Sequence, residues 1–317
     1  MLRIFMYVML ACVSLLAIEP YKKVSLDNNL VSSNVVKNKL LVGSDFGEVI
    51  EIFFDDEFFK IESKRLMQLP KVKTYFGDSY PRVFFVDVFY DSMLVLSEGD
   101  YGGKNLLIIK DGAIENILKN HEALNIKKAA FVNKDSIFIA LASNEIMLYS
   151  LKDDEFKYKK QISSASFSDF SLNENKDKYV LSCESGIVYY GDVKNGEIIT
   201  TFEGANKDNV YRALISDNEI IITAGQDRKA GIYKGREYDF IQTDFLVYSV
   251  GISKNGKYGA YMKNESSDIA VFSFLDKKEI AVLQGHTNVL NSIFFVSDNK
   301  IISTEDGKDI LFWKLDK

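Results

Sequence analysis

The residues that could act as metal ligands or nucleophiles are few in this sequence and lie far apart. Its 317 residues include two histidines, His121 and His286, and two cysteines, Cys12 and Cys183. A zinc site needs several such ligands close together, and a nucleophilic serine, cysteine or threonine needs a base beside it. No such grouping and no Gly-x-Ser-x-Gly motif occurs along the chain. The sequence therefore predicts no metal site, no cofactor and no catalytic residue.

The stretch GDYGGKN, residues 99–105, is the one that most resembles a phosphate-binding loop. That loop has the pattern Gly-x4-Gly-Lys-Ser/Thr, and its backbone amides surround the phosphates. Here Glu98 stands at the first glycine position, and Asn105 follows Lys104. These departures favour a wide hairpin turn. The stretch TEDGKD, residues 304–309, similarly has too few ligands for a calcium loop.

The overall charge and composition exclude several classes of protein. With a formal net charge of -6 and a pI near 5.2, the chain lacks the basic footprint of a nucleic-acid-binding protein. Apolar residues make up 47% of it, which indicates a globular protein. The three prolines are not clustered, so there is no obvious linker and one domain is predicted over residues 18–317.

The N-terminal residues differ from the rest of the chain. Arg3 precedes an uncharged apolar run over residues 4–18. A bilayer-spanning helix needs about twenty apolar residues, whereas this shorter run suits a secretory signal peptide. We predict a signal peptide over residues 1–17, cleaved after Ala17, and a periplasmic protein. A lipoprotein anchored through Cys12 and an uncleaved membrane anchor are the alternatives.

A turn followed by a short alternating strand that ends in a bulky residue recurs along the chain. From the second copy onward the bulky residues are 39 to 43 positions apart, whereas the first step is 56. Each period contains further β-rich runs separated by turns with Asn, Asp or Gly. A period near 41 with about four strands is typical of propeller blades. The copies predict an all-β, seven-bladed propeller; they end at Phe53, Ile109, Tyr149, Tyr190, Tyr233, Phe272 and Trp313.

The last copy, GHTNVLNSIFFVSDNKIISTEDGKDILFW, resembles the WD40 repeat family. The resemblance lies in Gly285 and His286, and in Ser303, Asp306 and Trp313. It implies that the histidine, serine, aspartate and tryptophan form a hydrogen-bonded network inside the blade, which is a structural role. The spacing from the aspartate to the tryptophan is one residue longer than in the family, so Asp309 could share or distort the turn role.

Residues 204–233 resemble the same repeat, with Ala205 at the histidine position, Asp227 in the turn and Tyr233 in place of tryptophan. The other five copies share the rhythm of strands and turns. Residues 20–26 resemble the outer strand that leads into the last blade. We therefore expect them to pair with the strand ending at Trp313 and so close the ring, which removes exposed sheet edges.

Cys183 follows a predicted strand and precedes a turn. We expect a small, buried, apolar residue there and not a reactive thiol. After cleavage at Ala17 it would be the remaining cysteine, so no internal disulfide is expected.

The long first step places an irregular segment, residues 69–82, between blades one and two. As the WD40 resemblance implies, this connection lies on the face of the ring that most often binds partners. Its residues Tyr75, Phe76 and Tyr80 belong to the aromatic type that is enriched at interface cores. We expect these three to contribute to a protein-binding site. A self-packed surface loop or an extra strand pair without a binding role is the alternative.

The whole organisation, including SSNVVKNKLLVGSDFGEVIEIF at residues 32–53, resembles the NapL family of accessory proteins of periplasmic nitrate reductase in ε-proteobacteria. The resemblance implies a non-catalytic role in assembly, maturation or electron supply of that molybdenum enzyme, with its components as protein partners. Two other functions stay open. One is a platform for outer-membrane protein assembly, whose family has eight blades and is usually lipid-anchored. The other is an enzyme with carboxylates or histidines from several blades at the mouth of the channel.

Overall fold

The computed structural model describes residues 17–120 and 125–315. In these ranges the strands form seven sheets, which are the blades of a ring, and an additional two-stranded hairpin. The protein is therefore an all-β, seven-bladed propeller, as the sequence predicted. The signal peptide predicted up to residue 17, with Cys12, lies almost wholly outside the described residues, and so does His121. No helix in the described ranges is long and apolar enough to cross a membrane.

The described chain begins with two short strands and then forms the blades in order. These first strands are β1 (Ala17–Ile18) and β2 (Lys22–Ser25). Blade one contains β3 (Leu30–Val36), β4 (Lys39–Ser44), β5 (Glu48–Phe54) and β6 (Ile61–Gln68), and is followed by the hairpin of β7 (Val72–Thr74) and β8 (Gly77–Ser79). Blade two contains β9 (Val83–Phe89), β10 (Ser92–Glu98), β11 (Lys104–Lys110) and β12 (Ala113–Asn120). Blade three contains β13 (Ile126–Asn133), β14 (Ser136–Leu141), β15 (Glu145–Ser150) and β16 (Glu155–Gln161).

The remaining blades repeat this order. Blade four contains β17 (Phe167–Leu172), β18 (Lys178–Cys183), β19 (Val188–Asp192) and β20 (Ile198–Phe202). Blade five contains β21 (Val210–Ile215), β22 (Ile221–Gly225), β23 (Lys229–Lys234) and β24 (Glu237–Gln242). Blade six contains β25 (Val250–Ile252), β26 (Tyr258–Met262), β27 (Ile269–Ser273) and β28 (Glu279–Leu283). Blade seven contains β29 (Leu290–Ser297), β30 (Lys300–Glu305) and β31 (Asp309–Lys314) together with β2.

The first strand of each blade lies at the centre of the ring, where it contacts first strands of neighbouring blades. The second strands are almost continuously buried because both of their sides are covered; β14 is an apolar example. The fourth strands lie at the outside, and β16 alternates between exposed and half-buried residues, as a strand with one solvated side should. Burial therefore decreases from the axis outward.

Seven apolar clusters hold the blades together, and each lies mainly between two neighbouring blades. The cluster between blades seven and one joins the two ends of the chain. There Phe58, from the turn between β5 and β6, is buried against Phe312, with ring centroids 5.1 Å apart and an edge-to-face angle of 82°. Such aromatic pairs add to the free energy gained from burial alone. The ring is thus closed by side-chain packing as well as by strand pairing.

The predicted closing strand is confirmed. β2 pairs antiparallel with β31, with Lys22 opposite Phe312 and Ser25 opposite Asp309. The structure adds a strand that the sequence did not reveal, because β1 pairs in parallel with β28 on the outer edge of blade six. Ile18 of β1 also packs on the apolar cluster between blades six and seven. The N-terminal residues therefore bridge two blades.

The irregular segment after blade one contains an extra strand pair, β7 and β8, with Tyr75 and Phe76 in the turn between them. The hairpin rests on blade two, where the Lys73 amide donates to Asp100 Oδ1 at 2.8 Å. Asp100 begins a single 3-10 turn inside the glycine-rich stretch. Glu98 pairs with Lys104 across that stretch, so the predicted wide hairpin turn is confirmed.

The two faces of the ring carry different turns. The turns between second and third strands and the connections between blades lie together, because the strands within each blade are antiparallel neighbours in chain order. This face carries the β7–β8 hairpin, and we call it the hairpin face. The turns between first and second strands and between third and fourth strands form the opposite face.

Candidate functional site

The histidine of blade seven belongs to a chain of buried hydrogen bonds. Trp313 Nε1 donates to Ser303 Oγ at 2.7 Å, and Ser303 Oγ lies 2.6 Å from His286 Nε2. The other ring nitrogen, His286 Nδ1, lies 2.9 Å from Glu305 Oε2. Because an indole N–H can only donate, a neutral histidine with its proton on Nδ1 satisfies every group in this chain. These buried residues hold the blade together.

The sequence prediction for this network is wrong at its acidic member. Asp306, the predicted partner, is exposed in the turn, and Glu305 takes its place. Glu305 ends β30 two residues after Ser303, so both side chains lie on the same face of the strand. Asp309, the alternative, forms an ion pair with Lys23 of β2 and so helps to hold the closing strand.

Several donors surround the Glu305 carboxylate. The Thr287 amide donates to Oε2 at 3.0 Å, and Asn288 Nδ2 donates to Oε1 at 2.9 Å. Burial on its own would raise the pKa of this carboxyl, but the hydrogen bonds from His286, Asn288 and Thr287 outweigh it and lower the pKa to about 2. The group is therefore a fixed anion that organises the turn, and it is poorly suited to proton transfer near neutral pH.

Blade five has a related network with a different residue in place of histidine. Thr223 Oγ1 donates to Asn206 Oδ1 at 2.6 Å, and Asn206 Nδ2 donates to Asp227 Oδ1 at 2.9 Å. The predicted alignment of Ala205 with the histidine position is thus wrong, since Asn206, the next residue, bonds to both Thr223 and Asp227. Gly231 leaves the necessary space, because a Cβ there would lie 2.6 Å from Asn206 Oδ1.

The three predicted partner-binding aromatics lie on the hairpin face, where Tyr75 and Tyr80 pack on two further aromatic residues. Tyr75 is 82% exposed and Phe76 is fully exposed at the tip of the hairpin. Tyr80 is half-buried and packs on Phe46, with ring centroids 4.4 Å apart. Tyr75 packs on Tyr101 at 5.3 Å. We call these five residues the hairpin aromatic cluster.

Phe46 and Tyr101 were not predicted from the sequence. Both belong to turns between the second and third strands, with the similar sequences Asp-Phe-Gly in blade one and Asp-Tyr-Gly in blade two. Such turns lie on the same face as the connections between blades. Two aromatic residues at matching turn positions, beside an irregular connection, could therefore have predicted that they belong to the same surface. The cluster therefore spans two blades and the hairpin between them.

A β-bulge recurs near the start of the first strand in six blades. At each one the register with the second strand shifts, so one residue is left without an opposite partner. Bulges re-aim side chains and are common beside functional sites. Since first strands line the axis, the bulges mark the rim of the channel on the hairpin face. The residues left over are Val31, Phe84, Lys127, Ser168, Tyr211 and Asn291.

A polar cavity of about 410 Å³ lies on the opposite face, beside the first turns of blades four and five. Two of its acidic residues are engaged in local bonds. Glu174 forms an ion pair with Lys254 at 2.7 Å, and a hydrogen bond from Asn173 at 2.7 Å helps to lower the pKa of Asp177. A general acid near neutral pH requires the opposite shift. The cavity is lined by Asn173, Glu174, Asn175, Asp177, Lys178, Ser216, Asp217 and Glu219.

Cys183 is fully buried in an apolar cluster between blades three and four, as expected, and its Sγ atom lies 3.1 Å from Ser185 Oγ. Over residues 17–120 and 125–315, no three His, Cys, Asp or Glu residues are placed so that they could hold a metal ion. The side-chain chemistry of the described part is thus dominated by structural networks and by the exposed aromatics of the hairpin face.

The architecture is that of a seven-bladed propeller, and solved WD40 propeller domains have the same fold. The WD40 β-propeller domain of Doa1 superposes with a TM-score of 0.70 at 14% identity, covering 94% of this chain and 97% of that one. The β-propeller domain of Cps50 (Swd1) from Myceliophteria thermophila gives 0.69 at 13% identity, with 93% and 100% covered. No protein-family model matches the sequence, and a comparison with curated proteins found no match. The similarity is therefore one of fold.

Proposed function

We propose that this protein is a non-catalytic platform that binds a protein partner through the hairpin aromatic cluster. The observation that carries the proposal is the exposure of Tyr75 and Phe76 at the tip of a hairpin that is additional to the seven blades. Exposed apolar clusters beside polar residues are typical of interaction sites, and aromatic residues dominate interface energetics. The WD40-type fold supports this, since such propellers commonly serve as interaction scaffolds.

We further propose that the chain is exported to the periplasm and that its partner is periplasmic nitrate reductase. The apolar N-terminal run after Arg3 supports export. The resemblance to the NapL accessory proteins supports nitrate reductase as the partner. It implies that the protein assists in assembly, maturation or electron supply of that enzyme. The outer-membrane assembly alternative depended on an eighth repeat, and the described residues form seven blades.

The binding proposal is tested with purified nitrate reductase components immobilised on a sensor surface. A variant with Tyr75→Ser, Phe76→Ser and Tyr80→Ser should bind at least tenfold more weakly, because it removes the aromatic anchors. Tyr90→Ser is the matched control, because Tyr90 is 87% exposed on the opposite face. Unchanged binding by the triple variant, with both variants melting like the wild type, would overturn the assignment of this face.

Export is tested by fractionation and N-terminal sequencing of the native protein. The expected product is periplasmic and begins at Ile18. A product that remains in the membrane fraction, and is released by Cys12→Ser, would show that the lipoprotein alternative is correct.

A further inference from the structure

Cationic side chains gather around the ring axis on the hairpin face, in a protein whose net charge is negative. Lys127 and Lys128 belong to the first strand of blade three, and Arg212 to that of blade five. Lys128 is neutralised, because its Nζ atom lies 2.7 Å from Asp169 Oδ1 of blade four. Among the described residues, neither Arg212 nor Lys127 has a carboxylate within ion-pair distance. Two positive charges near the axis are thus left without an anion.

The position of Arg212 follows from one contact. Its Nη2 atom lies 3.5 Å from Asn291 Oδ1, although Arg212 is in blade five and Asn291 in blade seven. Blades five and seven are separated by blade six, so the two side chains can meet only across the axis. A long contact to a neutral amide satisfies a small part of the bonding capacity of a guanidinium, which presents five N–H donors. The side chain is half-buried, and this contact is the one hydrogen bond that it makes among the described residues.

Lys127 lies in a second positive region on the other side of blade four. It is the bulge residue of blade three and is exposed. The neighbouring Lys104 donates its ammonium to the Ile126 carbonyl, and its Nζ atom lies 4.8 Å from the centroid of the Phe84 ring. Burial lowers the pKa of Lys104, and the charge of Lys127 lowers it further. Two neighbouring positive charges favour the approach of an anion.

We propose that Arg212 and Lys127 bind carboxylate side chains of an extended acidic segment of the protein partner, at the mouth of the channel on the hairpin face. This rests on the proposed function, since the same face is assigned to partner binding. Carboxylates match the guanidinium because two parallel N–H···O bonds can form. The rim also presents Tyr211 stacked on Tyr248, with centroids 5.0 Å apart, as a flat surface for the backbone of the segment. The hairpin aromatics then bind an apolar part of the same partner.

The test uses the full-length protein and a fluorescein-labelled decapeptide of alternating Glu and Ser, with a Gln and Ser decapeptide as the neutral comparison. At low ionic strength the acidic peptide should bind at least tenfold more tightly than the neutral one. Arg212→Gln should weaken this binding about tenfold, the effect of losing one charge-assisted contact. Arg212→Lys should retain part of the affinity, because it keeps the charge but not the planar fork.

Lys127→Gln is a second test of the proposal in case the Arg212 variant is unstable. Lys127 is exposed, so its side chain can be changed without unfolding the ring. It should weaken peptide binding two- to threefold, as expected for an exposed charge. Lys194→Gln on the opposite face is the matched control and should have no effect. Equal affinity for the two peptides, or unchanged binding by the Arg212→Gln, Lys127→Gln double variant, would overturn the proposal. Displacement of the peptide by an equal concentration of inorganic phosphate would also overturn it, in favour of a small-anion site.

The outcomes separate this inference from the binding function itself. The triple hairpin variant should still bind the acidic peptide, because its substitutions lie away from the axis. If the protein does not prefer the acidic peptide but still binds nitrate reductase through the hairpin, the proposed acidic segment is wrong and the proposed binding platform stands. If peptide binding depends on Arg212 but the hairpin variants bind the reductase normally, the proposed aromatic binding site is wrong.

Discussion

His286 and Glu305 form a buried pair in the last blade, with Nδ1 and Oε2 2.9 Å apart and side-chain exposures of 1% and 2%. The pair connects the turn that enters blade seven to the end of β30, and through Ser303 it reaches the buried Trp313. Because neither side chain reaches solvent, neither can replace a lost hydrogen bond with one to water. The strongest effects of mutation in this blade should therefore appear at these two positions.

Glu305→Ala should destabilise the protein by about 3 kcal/mol, because it leaves His286 and the Thr287 amide without their acceptor in a buried site. Chemical denaturation followed by circular dichroism measures the change. Asp306→Ala is the matched control, one residue later and exposed, and it should change the free energy of unfolding by less than about 0.5 kcal/mol. Equal effects of the two substitutions would contradict the assignment of Glu305.

Acid should weaken the same network. The folded pKa of Glu305 is about 2, below its usual value of 4.5, so the folded state favours the ionised carboxyl. This contribution to stability is fully present above about pH 4.5 and is lost as the pH falls toward 2. The stability difference between the wild type and Glu305→Gln should therefore shrink between pH 5 and pH 2. A difference that stays constant over this range would show that the carboxylate charge does not contribute.

Asn206→Ala should destabilise blade five, although no histidine network was expected there. The substitution leaves Thr223 and Asp227 without their shared partner, and a lost buried hydrogen bond costs about 1–3 kcal/mol. Ala205→Gly, at the position that the sequence pattern favoured, deletes one methyl group and should cost about 1 kcal/mol. If the alanine position proved the more sensitive of the two in thermal melts, the asparagine network would not be the element that stabilises this turn.

The blades were predictable because their strongest signal is local. The bulky residue at the end of the third strand is buried in five of the seven blades, and Tyr233 and Trp313 are examples. Glu305 was also within reach of sequence reasoning, because it lies two residues from Ser303 and must share its face of the strand. The family spacing drew attention to Asp306 instead.

Other features could not be predicted, because they depend on distances across the ring. Nothing in the local sequence places Arg212 beside Asn291, since two blades and the curvature of the ring decide that contact. The same holds for β1, where two residues pair with a strand more than 260 positions away. Asn206 was hidden for a different reason, because the connection before it is one residue longer than in blade seven.

The seam between blades seven and one should be sensitive to Phe58. Its ring fills the space between Phe54 and Phe312, and truncating a buried phenylalanine costs about 3–5 kcal/mol. Phe59→Ala is the control, since Phe59 is 72% exposed and loses mainly a contact with the Lys314 ammonium. That control should cost about 0.5–1 kcal/mol. Similar losses for both variants in denaturant titrations would show that the aromatic seam does not carry the closure.

A chain that ends before Ile310 should fail to fold as a ring, and should not behave as a slightly shortened propeller. It lacks most of β31, which pairs with β30 on one side and with β2 on the other. It also lacks Trp313 and Phe312, so the apolar clusters on both sides of blade seven lose buried side chains. Thermal melting should show no cooperative transition at the wild-type temperature, whereas a chain ending at Leu315 should melt like the full-length protein. A protein ending at residue 309 that kept the full-length melting temperature would refute this account of closure.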